Sequence, residues 1–369
     1  MVVQIIYIAI VVAMLIMQKI LKNKKEIITP IVLCLYLAIV MGGQQNNPDY
    51  SIYVNIFRQS FYSKDPGFGV VIQLLKNIGF NQYNFRLGIA IIGFTLISIT
   101  VFRFIENRTL FYILYGIYPF LFDVVQARNF LVMSILVFAV PLLVDGKLKN
   151  KFLYIALIIV AATIQKIAIV YLPLVFCNRI RNGKYTKYFW TIIITVSVFV
   201  AFNRSVLIRM INMIIIPLTG NLEGLSNYVN VNTRFGWIIF WAEQIFAFLI
   251  IRYANKLESS TMIAKIDDKN VKRYNFVSLM NSVNYYMFIF LPLFIIDENY
   301  TRIIRNLIPL NLIACIIVLT KHRKKIFLSK KRLLLLGGVL LYQLVMLLLL
   351  IKGYSDTIVI PTFFENWIF

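Results

Sequence analysis

The sequence predicts an all-α polytopic membrane protein with about twelve transmembrane helices, within a range of roughly 10 to 13. Hydrophobic residues make up 60% of its 369 residues and charged residues 14%, whereas soluble domains carry about 25% charged residues. The apolar residues form near-continuous runs, and the mean hydropathy is +0.80. Backbone groups cannot stay unpaired in lipid, so such runs must form helices. We expect one membrane domain over residues 1–369 and consider a GT-C-like arrangement of its helices.

Twelve apolar segments follow one another along the chain. They begin near residues 2, 28, 86, 109, 129, 151, 167, 188, 235, 275, 306 and 333. The first, Val2–Ile20, lacks the basic start and the cleavage site of a signal peptide, so we interpret it as a membrane helix. The stretch 151–177 contains Gln165-Lys166 and has basic loops at both ends, which favours a hairpin of two short helices. A single helix there would invert the topology of everything that follows.

The loops between these segments alternate in charge. Of the 38 Lys and Arg residues, 26 fall in one set of loops and 12 in the other, so the positive-inside rule makes the first set cytoplasmic. Both termini then face outward, and the net charge of +23 reflects orientation in the membrane rather than nucleic-acid binding. Two long segments, 43–85 and 203–234, become extracytoplasmic loops. The first contains a predicted amphipathic helix at Phe68–Ile78, and the second a re-entrant or interfacial stretch at Ile208–Leu218.

Several classes of site are disfavoured by composition. The three cysteines, Cys34, Cys177 and Cys315, lie far apart and form no disulfide or metal pattern. The single histidine, His322, lies in a basic loop, which argues against a multi-histidine metal site or a Ser-His-Asp triad. The cytoplasmic loops are too short for a nucleotide-binding domain. We therefore expect no metal and no cofactor.

Gln126-Ala127-Arg128 begins the fifth segment, at its outer end. An arginine at membrane depth is costly and usually functional. Its planar guanidinium suits a pyrophosphate, and helix N-termini favour anions as well. The alternative is that Arg128 only extends to the lipid headgroups.

Arg302 and Arg305 are spaced to share one helical face. Two cations on one face need an anionic partner, which is either the neighbouring Asp297 or Glu298 or an anionic ligand. Gln165 interrupts an apolar run at the outer face, where its amide either contacts substrate or bonds another helix.

Glu243 lies in the middle of the ninth segment, and a carboxylate there is a candidate functional group. We favour the alternative, a neutral hydrogen-bonded structural group. Asp49, Tyr50 and Tyr53 lie in the first outer loop. These residue types commonly contact sugars, but they are equally common in loops.

Taken in order, these motifs resemble the EpsG-like branch of the Wzy-type oligosaccharide repeat-unit polymerases, bacterial enzymes of capsule and exopolysaccharide assembly. The resemblance covers about residues 45 to 310. It is carried by the first outer loop, a Gln-x-Arg motif, a hairpin ending in Leu-Pro and a late Arg-containing segment. The matching stretches are Asn47-Pro48-Asp49-Tyr50 with Tyr53 and Asp65-Pro66-Gly67-Phe68, then Gln126-Ala127-Arg128-Asn129, Gln165–Pro173 and Asp297–Arg305.

The resemblance implies a glycosyl transfer at the outer face of the bacterial cytoplasmic membrane. The donor would be a growing glycan on undecaprenyl diphosphate, and the acceptor a sugar hydroxyl of a new lipid-linked repeat unit. Implied partners are these two substrates, the lipid bilayer, and flippase and chain-length regulator proteins, with no nucleic acid. The implied catalytic residues are Arg128, Gln126 and Asp49, and the implied substrate-binding residues are Arg302, Arg305, Gln165, Tyr50 and Tyr53.

One departure concerns Gln165, because the family hairpin usually carries a histidine there. Either Gln165 only positions the sugar, or another group such as Asp49 or Asp123 serves as the base. The alternative function is a lipid-linked oligosaccharide flippase or another transporter, which would show internal repeats and central charges. A membrane O-acyltransferase acting on sugars would need a buried histidine, which does not fit His322 in its cytoplasmic loop.

The topology is tested by cysteine labelling in intact cells. In a background without the natural cysteines, Ser51→Cys should react with a membrane-impermeant thiol reagent, because residues 43–85 are predicted to lie outside. Ser259→Cys, in a predicted cytoplasmic loop, is the control and should stay protected. Protection at position 51 would overturn the topology.

Overall fold

The computed structural model of the chain describes residues 27–59, 62, 64–177, 186–203, 236–261, 268–296, 298–320 and 329–366. Within these residues the secondary structure is helical, apart from an isolated antiparallel bridge between Gln44 and Asn366. The predicted helices Val2–Ile20 and Ile208–Leu218 lie outside the described residues. The structure thus confirms an all-α membrane protein for the part of the chain that it describes.

The α-helices are numbered here in chain order. They are α1 Ile28–Gly43, α2 Tyr50–Arg58, α3 Pro66–Ile78, α4 Phe85–Phe104, α5 Arg108–Ile117, α6 Phe120–Val125, α7 Ala127–Ala139, α8 Leu148–Ile164, α9 Thr186–Phe202, α10 Trp237–Thr261, α11 Asp268–Tyr286, α12 Leu291–Ile296, α13 Arg302–Arg305, α14 Ile308–Thr320, α15 Lys330–Tyr354 and α16 Ile360–Phe364. Short 3₁₀ helices lie at Val140–Asp145, Lys166–Phe176, Met287–Phe290 and Glu298–Thr301, and a π-helical turn at Ser355–Val359.

The stretch 151–177 folds as a hairpin, as the charge pattern predicts. Helix α8 ends at Ile164, Gln165 is extended, and the 3₁₀ helix Lys166–Phe176 returns beside α8. The hydroxyl of Tyr154 donates to the carbonyl of Tyr171 at 2.6 Å. In one straight helix these residues would lie about 25 Å apart at 1.5 Å per residue, so the contact requires the chain to reverse.

The number of full-length spans differs from the prediction. Six apolar stretches of the described residues are long enough to cross a membrane, whereas the sequence predicts about twelve crossings. They are Phe85–Phe104, Ala127–Asp145, Trp237–Ser260, Val271–Ile296, Asn299–Thr320 and Lys330–Phe364. Other predicted segments do form helices, but these are short: α1 has 16 residues and α5 has 10. Apolar runs in the sequence locate helices correctly, but they do not show where a helix breaks.

The core forms where α4 packs against α1 on one side and α7 on the other. Small residues permit these close approaches. A Cβ added at Gly42 of α1 would overlap Leu87 of α4, and one added at Gly93 of α4 would overlap the ring of Phe130 in α7. Phe130, near the start of α7, thereby packs against the middle of α4.

The segment between α1 and α4 contains two short helices. The predicted amphipathic helix is confirmed as α3, which ends at Gly79 with a positive φ of 99° that favours glycine. The start of α3 touches the end of α8, because Gly67 leaves no room for a side chain beside Thr163. The extracytoplasmic location of 43–85 stays a prediction.

A matched pair of glycine substitutions tests the packing of the core. Gly93→Ala should lower thermal stability in detergent, because its methyl group would overlap Phe130 and overpacking costs about 1–3 kcal/mol. Gly337→Ala in α15 is the control, since nothing lies within 4 Å of its added Cβ, and its stability should be unchanged or slightly higher. Equal melting temperatures for the two variants would contradict the packing of α4 on α7.

Candidate functional site

The candidate site is built around the break between α6 and α7. Gln126 has non-helical backbone angles (φ −98°, ψ 66°) and separates Phe120–Val125 from Ala127–Ala139. The side chains of Gln126 and Arg128 bond residues from two distant parts of the chain. We call this break, formed by Gln126 and the adjoining ends of α6 and α7, the elbow. The elbow joins two groups of polar residues that are far apart in sequence.

Arg128 is held by residues of the 43–85 segment. Its Nη1 lies 2.5 Å from Asp65 Oδ2 and 3.2 Å from the hydroxyl of Tyr62. Its backbone N–H donates to the hydroxyl of Tyr53 at 3.4 Å, and its guanidinium lies 5.8 Å from the Tyr53 ring centre. The Arg128 side chain is still 25% exposed, so the guanidinium is partnered but not enclosed.

The two tyrosines are uncharged members of this group. Burial raises the pKa of the Tyr53 hydroxyl, and although Arg128 acts in the opposite direction, burial is the larger effect. Burial likewise raises the pKa of Tyr62, and the nearby Asp65 adds to the rise. Both hydroxyls therefore stay protonated at neutral pH and can donate hydrogen bonds.

A further arginine, Arg86, also lies near the ring of Tyr53 and was missed by sequence reasoning. It is fully buried, donates to the Val124 carbonyl, and has its guanidinium 6.0 Å from the Tyr53 ring centre. Its Nε and Nη1 have no hydrogen-bond partner. An arginine at the start of an apolar run is the signal that could have identified it.

Arg305 lies on the other side of the elbow. Its Nη2 donates to Gln126 Oε1 at 2.6 Å, and its guanidinium lies 4.3 Å from the ring centre of Phe122. Asp123 and Glu243 are close enough to interact with it electrostatically, although neither of the two ion pairs found among the described residues involves Arg305. The direct partner of Arg305 is thus a neutral amide.

Arg302 makes a contact with a neutral amide. It donates to Asn299 Oδ1 at 2.8 Å. Asp297 and the side chain of Glu298 lie outside the described residues, so the pairing of Arg302 and Arg305 with either acidic residue stays a prediction. Arg302 begins and Arg305 ends one short helix, α13.

Buried amides and hydroxyls fix the two sides of the site to each other. Asn129 and Asn306 exchange hydrogen bonds of 2.8 and 3.0 Å, which joins α7 to the end of α13. The hydroxyl of Tyr171, in the returning arm of the hairpin, donates to the carbonyl of Ile303 at 2.9 Å. The positions of Arg128 and Arg305 are therefore coupled through the packed interior.

The remaining predicted residues lie around this site at different depths. Asp49 and Tyr50 are half-buried at the start of α2 and interact electrostatically with Arg86. Gln165 lies at the hairpin tip, and its Oε1 is buried without a hydrogen-bond partner. Thr163, two residues earlier, touches Gly67 beside Asp65. The structure brings these residues near the elbow, and their roles remain predictions.

Two carboxylates in the interior are hydrogen-bonded to tyrosines. Asp123 accepts from Tyr115 at 2.7 Å, and Glu243 accepts from Tyr118 and Tyr342 at 3.0 and 3.1 Å. This arrangement agrees with Glu243 as a hydrogen-bonded structural group.

The comparisons with known proteins identify the family. The model of the EpsG family matches residues 27–361 of the chain. The chain belongs to the EpsG family. No curated protein and no solved structure matches it, so the GT-C-like arrangement stays a prediction. Membership of the EpsG family indicates a polymerase-like role in polysaccharide biosynthesis at a membrane.

The geometry of this EpsG-family site suits an anion. Guanidinium groups from α7 and α13 flank the elbow, and the first turn of α7 adds backbone N–H groups. Among the described residues, no three His, Cys, Asp or Glu side chains form a group that could hold a metal ion.

A charge substitution at the elbow tests anion binding. Gln126→Glu should pair Arg305 with a carboxylate and lower the affinity for inorganic pyrophosphate by about 10- to 100-fold, the value of a charged hydrogen bond. Gln82→Glu is the matched control, since Gln82 Oε1 accepts from Arg58 Nε at 2.7 Å at the surface. Calorimetry on purified protein measures both variants, and equal affinities would contradict a role for Arg305 in the site.

Proposed function

We propose that this protein is a glycosyltransferase that polymerises undecaprenyl-diphosphate-linked oligosaccharide repeat units on the outer side of the bacterial cytoplasmic membrane. The observation that supports this most is the elbow of this EpsG-family chain. There Gln126 is hydrogen-bonded to Arg305, and Arg128 is paired with Asp65. The product would be a capsular or exopolysaccharide.

The proposed reaction transfers the growing glycan from its lipid carrier to a new repeat unit. A hydroxyl oxygen of the acceptor sugar forms a bond to the anomeric carbon of the donor. The bond between that carbon and the diphosphate oxygen breaks, and undecaprenyl diphosphate leaves with the electron pair. The acceptor proton passes to a base.

Cations matter most in this reaction because the leaving group develops negative charge. Fixed guanidinium groups in a site of low dielectric stabilise such charge without reorganisation. Arg128 and Arg305 are the proposed diphosphate ligands, with Arg302 beside them. Gln126 holds Arg305 in place, while Tyr50, Tyr53 and Gln165 would contact the sugars.

The proposed topology places this chemistry outside. With 26 of the 38 basic residues in the cytoplasmic loops, the positive-inside rule assigns the elbow and α13 to the outer side. Both substrates would then enter from the outer leaflet. Flippase and chain-length regulator proteins would be the partners before and after this step.

Chain extension in cells tests the proposal. Arg128→Ala should reduce polymer formation by about 10²- to 10³-fold, the cost of removing a preorganised donor to developing charge. Membrane insertion should remain intact. Arg58→Ala is the control, because Arg58 bonds Gln82 away from the elbow. Normal polymer length in the Arg128 variant, at equal expression, would refute the assignment.

A deletion strain separates the proposed enzyme from a transporter. Loss of a polymerase should leave single lipid-linked repeat units on the outer leaflet, whereas loss of a flippase would leave them on the inner leaflet. Periplasmic or external enzymatic release of the repeat units distinguishes the two locations.

A further inference from the structure

We propose that Asp65 is the catalytic base that accepts the proton of the acceptor hydroxyl. This inference rests on the proposed function. It identifies the base with a residue other than Asp49 and Asp123, the two candidates that the sequence suggested. Three features of the structure carry it: the contacts of Asp65, its position at the start of α3, and the engagement of the other carboxylates.

The first feature is proximity to a proposed ligand of the diphosphate. Asp65 Oδ2 lies 2.5 Å from Arg128 Nη1 and 3.5 Å from the hydroxyl of Tyr62. In the transfer, the attacking hydroxyl and the leaving diphosphate lie on either side of one anomeric carbon. Asp65 contacts Arg128 through Nη1, so in this proposal the diphosphate binds another part of the guanidinium and the acceptor hydroxyl lies beside Asp65.

The second feature is a missing helix cap. Asp65 is the N-cap residue of α3, where an aspartate side chain usually accepts a hydrogen bond from the first turn of the helix. Here the carboxylate makes no capping bond. It points instead to Arg128, across 63 residues of sequence. A capping bond contributes about 1 kcal/mol, so the contact to Arg128 replaces a local stabilising interaction.

The backbone around Asp65 is nevertheless well fixed. Pro66 starts α3, the N–H of Gly69 donates to the Asp65 carbonyl at 3.1 Å, and Gly67 packs directly against Thr163. These contacts hold the carboxylate beside the hairpin tip that carries Gln165. A base on a fixed backbone keeps its geometry through the reaction.

The third feature is that the two interior carboxylates near the elbow are already hydrogen-bonded, and that Asp49 forms no ion pair with Arg128 among the described residues. Asp123 and Glu243 are buried in the interior, and each accepts hydrogen bonds from tyrosine hydroxyls. Asp49 is half-buried at the start of α2, and its electrostatic neighbours are Tyr53 and Arg86. Among these four acidic residues, Asp65 is the one in an ion pair with Arg128.

The ion pair also relates donor binding to the proposed base. The diphosphate is a second anion for the Arg128 guanidinium, so it would compete with Asp65 for that cation and leave the carboxylate free to contact the acceptor hydroxyl. The proton of the acceptor hydroxyl then moves to Asp65. At the same time the bond between the acceptor oxygen and the anomeric carbon forms, and the bond between that carbon and the diphosphate oxygen breaks.

A catalytic and a structural role for Asp65 have opposite consequences for anion binding. If Asp65 only positions Arg128, removing its charge should weaken pyrophosphate binding together with activity. If Asp65 is the base, removing its charge eliminates a competitor for Arg128. Pyrophosphate should then bind equally well or more tightly, while transfer is lost.

The experiment compares Asp65→Asn with Glu106→Gln in the full-length protein. Glu106 is the matched control, because it forms the other ion pair of the described residues, with Arg273 at 2.9 Å. Two quantities are measured: the rate of transfer between lipid-linked repeat units, and the affinity for inorganic pyrophosphate. Asp65→Asn should slow transfer by about 10²- to 10⁴-fold, the usual contribution of a general base, without weakening pyrophosphate binding. Glu106→Gln should change neither quantity.

Two results would overturn the inference. One is transfer by Asp65→Asn within threefold of the parental rate. The other is a parallel loss of transfer and pyrophosphate affinity, which would make Asp65 a positioning residue. Failure of the proposed function looks different, because the parental protein and Arg128→Ala would then both lack transfer activity.

A second variant decides the outcome if Asp65→Asn does not insert. Asp65→Glu keeps the ion pair, but it moves the carboxylate by one methylene group. We expect transfer to fall at least about tenfold, as misplacement of a catalytic group by 1 Å can cost 10²-fold, with unchanged pyrophosphate affinity. A parental transfer rate in Asp65→Glu would overturn the assignment.

Discussion

The cost of burying guanidinium groups among apolar helices constrains this whole molecule. A charge transferred from water to such an interior needs partners, or its free energy is prohibitive. Two arginines find their partners at the start of α7, since Gln126 accepts from Arg305 and Arg128 pairs with Asp65 of α3. The elbow between α6 and α7 therefore fixes the relative positions of α3 and α13, which are far apart in sequence.

Short and broken helices follow from the same constraint. In an unbroken helix the backbone N–H and C=O groups bond to each other along its length. A break leaves N–H and C=O groups at the new helix ends without a partner inside the helix. Such breaks are tolerated only inside protein or at a water-filled cavity. The break at Gln126 carries the contact to Arg305, and the break at Gln165 follows Thr163, which touches Gly67 beside Asp65. The shorter helices are thus part of how the site is constructed, and they explain why six stretches of the described residues, rather than twelve, are long enough to cross a membrane.

Local sequence patterns predicted the helices well, but not the contacts between them. Hydrophobic runs gave the starts of α1, α4, α8 and α15 to within three residues, and the charge pattern gave the hairpin at Gln165. Arg128 was recognised because an arginine at membrane depth is costly, and Arg305 because it shares a helical face with Arg302. Their partners were not, because the Asp65–Arg128 and Gln126–Arg305 contacts span 63 and 179 residues. Tertiary pairing at such separations leaves no periodic signal in a single sequence.

The two arginines of the elbow are not equivalent. Arg128 is neutralised by direct contact with a carboxylate, whereas the direct partner of Arg305 is a neutral amide and its nearest carboxylates bond tyrosines instead. An arriving diphosphate would therefore meet an uncompensated donor at Arg305 and a compensated one at Arg128. Binding at Arg305 requires no carboxylate to be displaced, but binding at Arg128 must compete with Asp65. This asymmetry couples the position of the diphosphate to the contact between Asp65 and Arg128, so the anion site and the proposed base act as one unit.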